Sequence, residues 1–192
     1  MYEIVTENSF NINIQNVVGS ADLHQKIDLA SIVRAFPTAE YQPDRFPGLV
    51  YRLKKPSVVI LVFGTGKLVV AGAKSSNMVL RAVSKLVQEF KAHGIVILTE
   101  PDVTVRNVVA SAELGHTVDL EEATNILDGT IYDPEQFPGL IYKIKDSKAS
   151  MLIFSNGKLV CAGAKTEAEA INAVNRLYET LTEKGLLSKA EV

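Results

Sequence analysis

Residues 41–54 read YQPDRFPGLVYRLK, and residues 132–145 read YDPEQFPGLIYKIK, the same string 91 positions later. Working outward from this pair, QNVVGSADL at 15–23 is answered by RNVVASAEL at 106–114, and GKLVVAGAK at 66–74 by GKLVCAGAK at 157–165. Residues 12–95 align with 103–186 at this constant offset without insertion, and about 30 of the 84 aligned positions are identical. Two copies are too few for an open solenoid, which needs three or more units to bury its faces. The halves, 1–95 and 96–192, are therefore expected to join in one pseudo-twofold body. The short apolar linker at 95–101 favours one continuous sheet over two tethered domains.

Each copy reads as strand, helix, four or so strands, helix. Asp28 and Asp119 precede helical patterns, with Leu29, Ile32, Val33 and Phe36 forming the stripe in the first copy, and Asp119 with Glu122 has capping-box spacing. The second helix of each copy carries the stronger signal. Met78, Val79, Ala82, Val83, Leu86, Val87 and Phe90 recur at helical spacing, as do Ala170, Ile171, Val174, Leu177, Tyr178 and Leu181, with Thr166 and Glu169 as another capping box. Between the helices, 58–63 and 68–73 flank a Gly-Thr-Gly-Lys hairpin, while the second copy turns at Asn156-Gly157, the dipeptide suited to a tight primed turn. Helices with a single apolar stripe cover one face of an antiparallel sheet, so the class expected is α+β with the other face open.

Composition narrows the function. At 192 residues, 47% hydrophobic and 22% charged, the chain is a folded globular protein. The single cysteine, Cys161, excludes an internal disulfide framework and implies a reducing compartment, and the three histidines lack metal-ligand spacing. MYEIVTENSF at the start has no basic-then-apolar leader pattern, and the longest apolar run, 58–63, cannot span a bilayer, so no membrane partner is expected. Gly-Thr-Gly-Lys at 64–67 is a turn and not a phosphate-cradling loop, because Leu61 stands where the first glycine belongs and Leu68 follows the lysine. No Ser, Cys or Lys has an identifiable base partner, so an enzyme has no constellation to stand on.

Strand alternation places Leu61, Phe63, Val69 and Ala71 on one face and Ile60, Val62, Leu68 and Val70 on the other. Both faces are apolar, so the open one must be buried against something or bind something. RFPGLVYRL with ILVFGTGKLVVAGAK, and QFPGLIYKI with MLIFSNGKLVCAGAK, resemble the two signature segments of the TATA-box-binding protein family, over nearly the whole chain. The resemblance implies a pseudo-twofold saddle, a single curved antiparallel sheet of about ten strands with four helices on its convex face. Its underside would lie in the minor groove of double-stranded promoter DNA at a TATA box, without a cofactor. Such proteins kink the duplex with apolar wedges, a mode for which this family is a known example.

Carried over by position, the family's four wedges are Phe46 and Phe63 in the first copy and Phe137 and Phe154 in the second. Asn16 and Asn107 match its paired donors to central base acceptors. The minor groove shows A·T pairs only as the N3 and O2 acceptors, whereas guanine adds an amino group, so donors and apolar contacts select A·T. Val18, Val109, Val69 and Val160 match flat apolar contacts, and Leu61 and Leu152 support the wedges. Ala71 and Ala162 stand where many members have threonine, and Arg106 replaces the glutamine found at Gln15. Arg52, Lys67, Lys74, Lys143, Lys158 and Lys165 match phosphate contacts, which fix position while base contacts specify.

The net charge of −2 conceals an asymmetry. Residues 12–95 carry 11 Lys or Arg against 5 Asp or Glu, and residues 103–186 carry 8 against 12, giving +6 and −4. A basic partner for the second copy is expected. The family supplies one in transcription factor B, which brings RNA polymerase indirectly and grips the loop holding Asp133, Glu135 and Gln136. FPGL in both copies and the lack of a long N-terminal extension resemble archaeal members, implying a cytoplasmic, nucleoid-associated protein, or a nuclear one if eukaryotic. The open apolar face could also pair two copies as a homodimer when free. A protein-binding scaffold, or a paralogue that contacts DNA without bending it, is the alternative of different class.

Overall fold

The computed structural model describes residues 3–5, 10–145 and 147–189, the first three by backbone alone. In chain order the first copy gives β1 (Glu3–Val5), β2 (Asn11–Asp22), α1 (Leu29–Ala35), β3 (Gly48–Lys54), β4 (Ser57–Phe63), β5 (Lys67–Ala73) and α2 (Ser76–Ala92). The second gives β6 (Asp102–Glu113), β7 (His116–Val118), α3 (Leu120–Ile126), β8 (Thr130–Ile131), β9 (Gly139–Lys143), β10 (Ser150–Phe154), β11 (Lys158–Ala164), α4 (Glu167–Glu183) and β12 (Leu187–Lys189). Among the described residues, four helices and antiparallel strands make the class α+β, as expected. Three strands separate the first copy's helices where four or so were expected, the remaining position being a lone bridge, Glu40 to Val50.

Helix starts follow the caps read from sequence. Asp28 accepts from the Ala30 N–H at 3.0 Å and also from the Ser31 hydroxyl, and Asp119 accepts from the Glu122 N–H at 2.9 Å. Thr166 caps α4 through the Glu169 N–H at 3.0 Å, while the Glu169 carboxylate reaches one residue further back than a capping box requires, to the Lys165 N–H at 2.7 Å. Ser31 holds the Asp28 carboxyl below its ordinary pKa, assisted by the backbone N–H donors and Arg34.

The hairpin between β10 and β11 differs from the primed two-residue turn expected. Gly157 donates to the Phe154 carbonyl at 2.9 Å and has φ 77°, while Asn156 keeps a negative φ, as only His24 among the described non-glycine residues has a positive one. Both central residues of a type I′ turn need φ > 0. The loop is therefore Ser155-Asn156-Gly157, with the left-handed residue last, and Gly66 at φ 90° repeats it between β4 and β5. A Cβ on either glycine would sit 2.0 Å from the Gln25 carbonyl oxygen or 1.9 Å from that of His116.

The chain resolves into two compact units. Asn16–Arg106 form one; Asn107 onward, with residues up to Gln15, form the other. In the 16–106 unit the strand order is β3-β4-β5-β2, with residues 102–106 of β6 beside β2. In the other the order is β8-β9-β10-β11-β6, with residues 11–15 of β2 beside β6, and β12 pairs separately with β7. Val79, Ala82, Val83, Leu86, Val87 and Phe90 of α2 bury against the sheet side that carries Val58, Ile60, Val62, Leu68 and Val70. Ala170, Ala173, Val174, Leu177 and Leu181 of α4 do the same over Met151, Ile153, Leu159 and Cys161. Burial pushes the Cys161 thiol up to about 11, so it behaves as a small apolar core residue.

The units close their ends differently. Leu187 and Lys189 pair by backbone with Val118 and His116 in the second unit. In the 16–106 unit the corresponding stretch is held by a side chain: Gln25 donates through Nε2 to the Val96 carbonyl at 2.7 Å and accepts through Oε1 from the Leu98 N–H at 2.8 Å. No helix among the described residues is long and apolar enough to cross a membrane.

Candidate nucleic-acid interface

Each unit leaves the sheet face opposite its long helix uncovered. On the 16–106 unit that face carries Asn16, Val18, Leu61, Phe63, Val69 and Ala71 in the half-buried alternate positions of β2, β4 and β5. Arg52 continues it along exposed positions of β3, and Lys67 and Lys74 bracket β5. The 107–189 unit repeats the arrangement with Asn107, Val109, Leu152, Phe154, Val160 and Ala162, with Lys143 on β9 and with Lys158 and Lys165 bracketing β11.

Each face ends in a pair of rings. Phe46 meets Phe63 edge to face at a centroid distance of 5.8 Å, and Phe137 meets Phe154 at 6.0 Å. Phe46 and Phe137 are 38% and 44% exposed, whereas Phe63 and Phe154 are half-buried, so one ring of each pair is anchored and the other is presented. A turn aims the presented ring: Phe46 N–H donates to the Gln42 carbonyl and Phe137 N–H to the Asp133 carbonyl, both at 2.9 Å.

The asparagines are oriented by a bulge. Register shifts between Val17 and Gly19 opposite β5, and between Cys161 and Ala164 in β11, free a glycine N–H on each strand. Gly72 donates to Asn16 Oδ1 and Gly163 to Asn107 Oδ1, each at 2.9 Å. An N–H needs an acceptor, so this bond fixes which carboxamide end is oxygen, and the Nδ2 hydrogens are what each asparagine has left to offer.

Ser20 and Ser111, which sequence reasoning passed over, belong to the same faces. Arg106 Nε donates to Ser20 and Gln15 Nε2 to Ser111, both at 2.7 Å. Their signal was legible, since both serines lie in the outward phase of a strand and are identical between copies. A groove of about 900 Å³ runs past Phe63, Lys67, Val69 and Arg106 in the first unit, and one of about 890 Å³ past Phe154, Lys158, Val160 and Gln15 in the second. Their electrostatics differ. In the first, His24 Nε2 lies 2.8 Å from Asp102, and no carboxylate among the described residues pairs with Lys67. In the second, Lys158 lies 3.2 Å from Glu113.

The acidic loop of the second copy turns partly on itself. Both acids are exposed, but Asp133 accepts from the Glu135 N–H at 3.2 Å and from Gln136 Nε2 at 2.9 Å, so its carboxylate shapes its own turn. No metal-binding group of His, Cys, Asp or Glu is found among the described residues. The faces suit a ligand with apolar walls, hydrogen-bond acceptors along its floor and anionic rims.

A tandem-repeat α+β protein with a donor-lined, ring-tipped sheet face in each unit is the class that this geometry defines. A family model described as transcription factor TFIID (or TATA-binding protein, TBP) matches residues 11–93 and 102–184, and the chain belongs to that family. The TATA-box-binding protein of Pyrodictium occultum is 50% identical over 169 residues, covering 88% of this chain and 85% of that protein. That of Pyrococcus abyssi is 40% identical over 188 residues, 98% of each chain. The solved structure of Methanococcus jannaschii TBP matches with a TM-score of 0.82 at 41% identity, covering 90% of this chain and 98% of that one.

Proposed function

We propose that this chain is a general transcription initiation factor that binds A/T-rich promoter DNA in the minor groove. It kinks the duplex by inserting its phenylalanine pairs and recruits transcription factor B, and RNA polymerase through it. The observation that carries this reading is the fixed polarity of Asn16 and Asn107. Oriented donors beside flat valines match the N3 and O2 acceptors of A·T pairs and clash with the guanine amino group. Ring pairs at the face ends supply wedges whose unstacking cost, a few kcal/mol per step, is offset by the larger contact made with bent DNA. Arg52, Lys67, Lys74, Lys143, Lys158 and Lys165 take the phosphates, and the loop at 133–137 takes transcription factor B.

The test is a gel shift with A/T-rich and G/C-rich duplexes, paired with a fluorescence measurement of end-to-end distance. Selective, bent binding of the A/T-rich duplex is expected. Equal affinity for both duplexes, or binding without bending, would sink the proposal.

A further inference from the structure

We infer that Gly48 and Gly139 are positioning residues for the wedges: each leaves the space in which a phenylalanine pair nests. The inference rests on the wedge role proposed above. Gly48 is the cross-strand partner of Phe63, and Gly139 that of Phe154. An ideal Cβ on Gly48 would lie 2.6 Å from Phe46 Cε1 and 3.0 Å from Phe63 Cε1. On Gly139 it would lie 2.6 Å from Phe137 Cε1, 2.9 Å from Leu152 Cδ1 and 3.1 Å from Phe154 Cε1. The same closest ring atom at the same distance in both units makes this a built feature of each pair.

Backbone freedom is not the reason for glycine here. Both residues sit in strands and neither has a positive φ, so alanine fits the backbone. What it does not fit is the rings. In each unit the atom nearest the added methyl is an edge of the exposed ring, which can swing without disturbing the core, and at Gly139 the end of the half-buried Leu152 side chain comes next and must shift with it. The sheet therefore keeps its packing while Phe46 or Phe137 leaves its edge-to-face seat, and the wedge is no longer held where a base step must open. Glycine at these two positions sets wedge geometry, and the alanine variant separates that geometry from folding.

The experiment uses the full chain and an A/T-rich duplex carrying a donor and an acceptor fluorophore at its ends. Gly48→Ala and Gly139→Ala are compared with Phe46→Ala, Phe137→Ala and the double variant Phe46→Ala with Gly48→Ala, each also melted thermally, with Leu49→Ala as a core reference. The glycine variants should lose much of the bend while melting with the parent protein, and Gly48→Ala should change nothing further once Phe46 is gone. A full bend in the glycine variants, when the phenylalanine variants have lost it, overturns this inference alone. So does a further loss on adding Gly48→Ala to Phe46→Ala, or a fall in melting temperature matching that of Leu49→Ala. Normal bending by Phe46→Ala and Phe137→Ala removes the wedge reading and this inference with it.

Discussion

Asn16 and Asn107 owe their polarity to a glycine N–H 56 residues further along the chain. An aspartate would still accept from Gly72 or Gly163, yet it would present an oxygen where the asparagine presents N–H groups. Asn16→Asp and Asn107→Asp should therefore each weaken binding to an A/T-rich duplex by at least about tenfold, the discrimination of one good base contact. Unchanged gel-shift affinity would show that the carboxamide meets no base. The half-buried rings make a second case. Phe63→Ala with Phe154→Ala should abolish bending at the cost of a modest fall in melting temperature, since each ring gives up partial burial and an edge-to-face contact. Bending left intact would refute the role of these rings. Residue identity at these sites was legible in the sequence because both copies keep it. Orientation was not, because it comes from a bulge on another strand.

At the level of elements, the loop at 133–137 and the start of α1 are each governed by one carboxylate. Because Asp133 already binds Glu135 N–H and Gln136, replacing it with lysine should open the turn that aims Phe137 and impair DNA binding itself. Glu135→Arg should instead spare the binary complex and weaken assembly with transcription factor B. Gel shifts of binary and ternary complexes run together decide this, and an equal loss in both from Glu135→Arg would defeat it. Sequence pattern alone treats the two acids as one patch, since spacing does not show which carboxylate bonds within its own turn. For α1, the lowered Asp28 pKa means that the cap stabilises above the ordinary carboxylate value and is lost as pH falls through the depressed one. Protection of the Ala30 and Ser31 amides against exchange, taken relative to the intrinsic rate at each pH, should fall on acidification, and Asp28→Asn should flatten that response. The helices and hairpins were legible from period and caps. The three-residue loop ending in Gly157 was not, because it depends on the approach of the His116 carbonyl.

For the whole molecule, the +6 and −4 copies predict unequal shares of electrostatic binding. Lys67 should contribute a full phosphate contact, so Lys67→Ala should reduce the slope of log affinity against log salt by about 0.9. Lys158 shares its charge with Glu113, which keeps a cation at hand, so Lys158→Ala should reduce the slope by less. Equal reductions would mean that Glu113 releases the lysine on binding. Duplication was plain in the sequence, yet the means by which the copies close their ends was not. The backbone ladder at His116–Val118 asks nothing of side-chain identity, whereas the matching segment in the 16–106 unit hangs on the Gln25 amide. Evolutionary drift is thus rationed unevenly between twins: position 116 is at liberty to wander so far as that ladder is concerned, while position 25 is tied to a residue bearing both a donor and an acceptor.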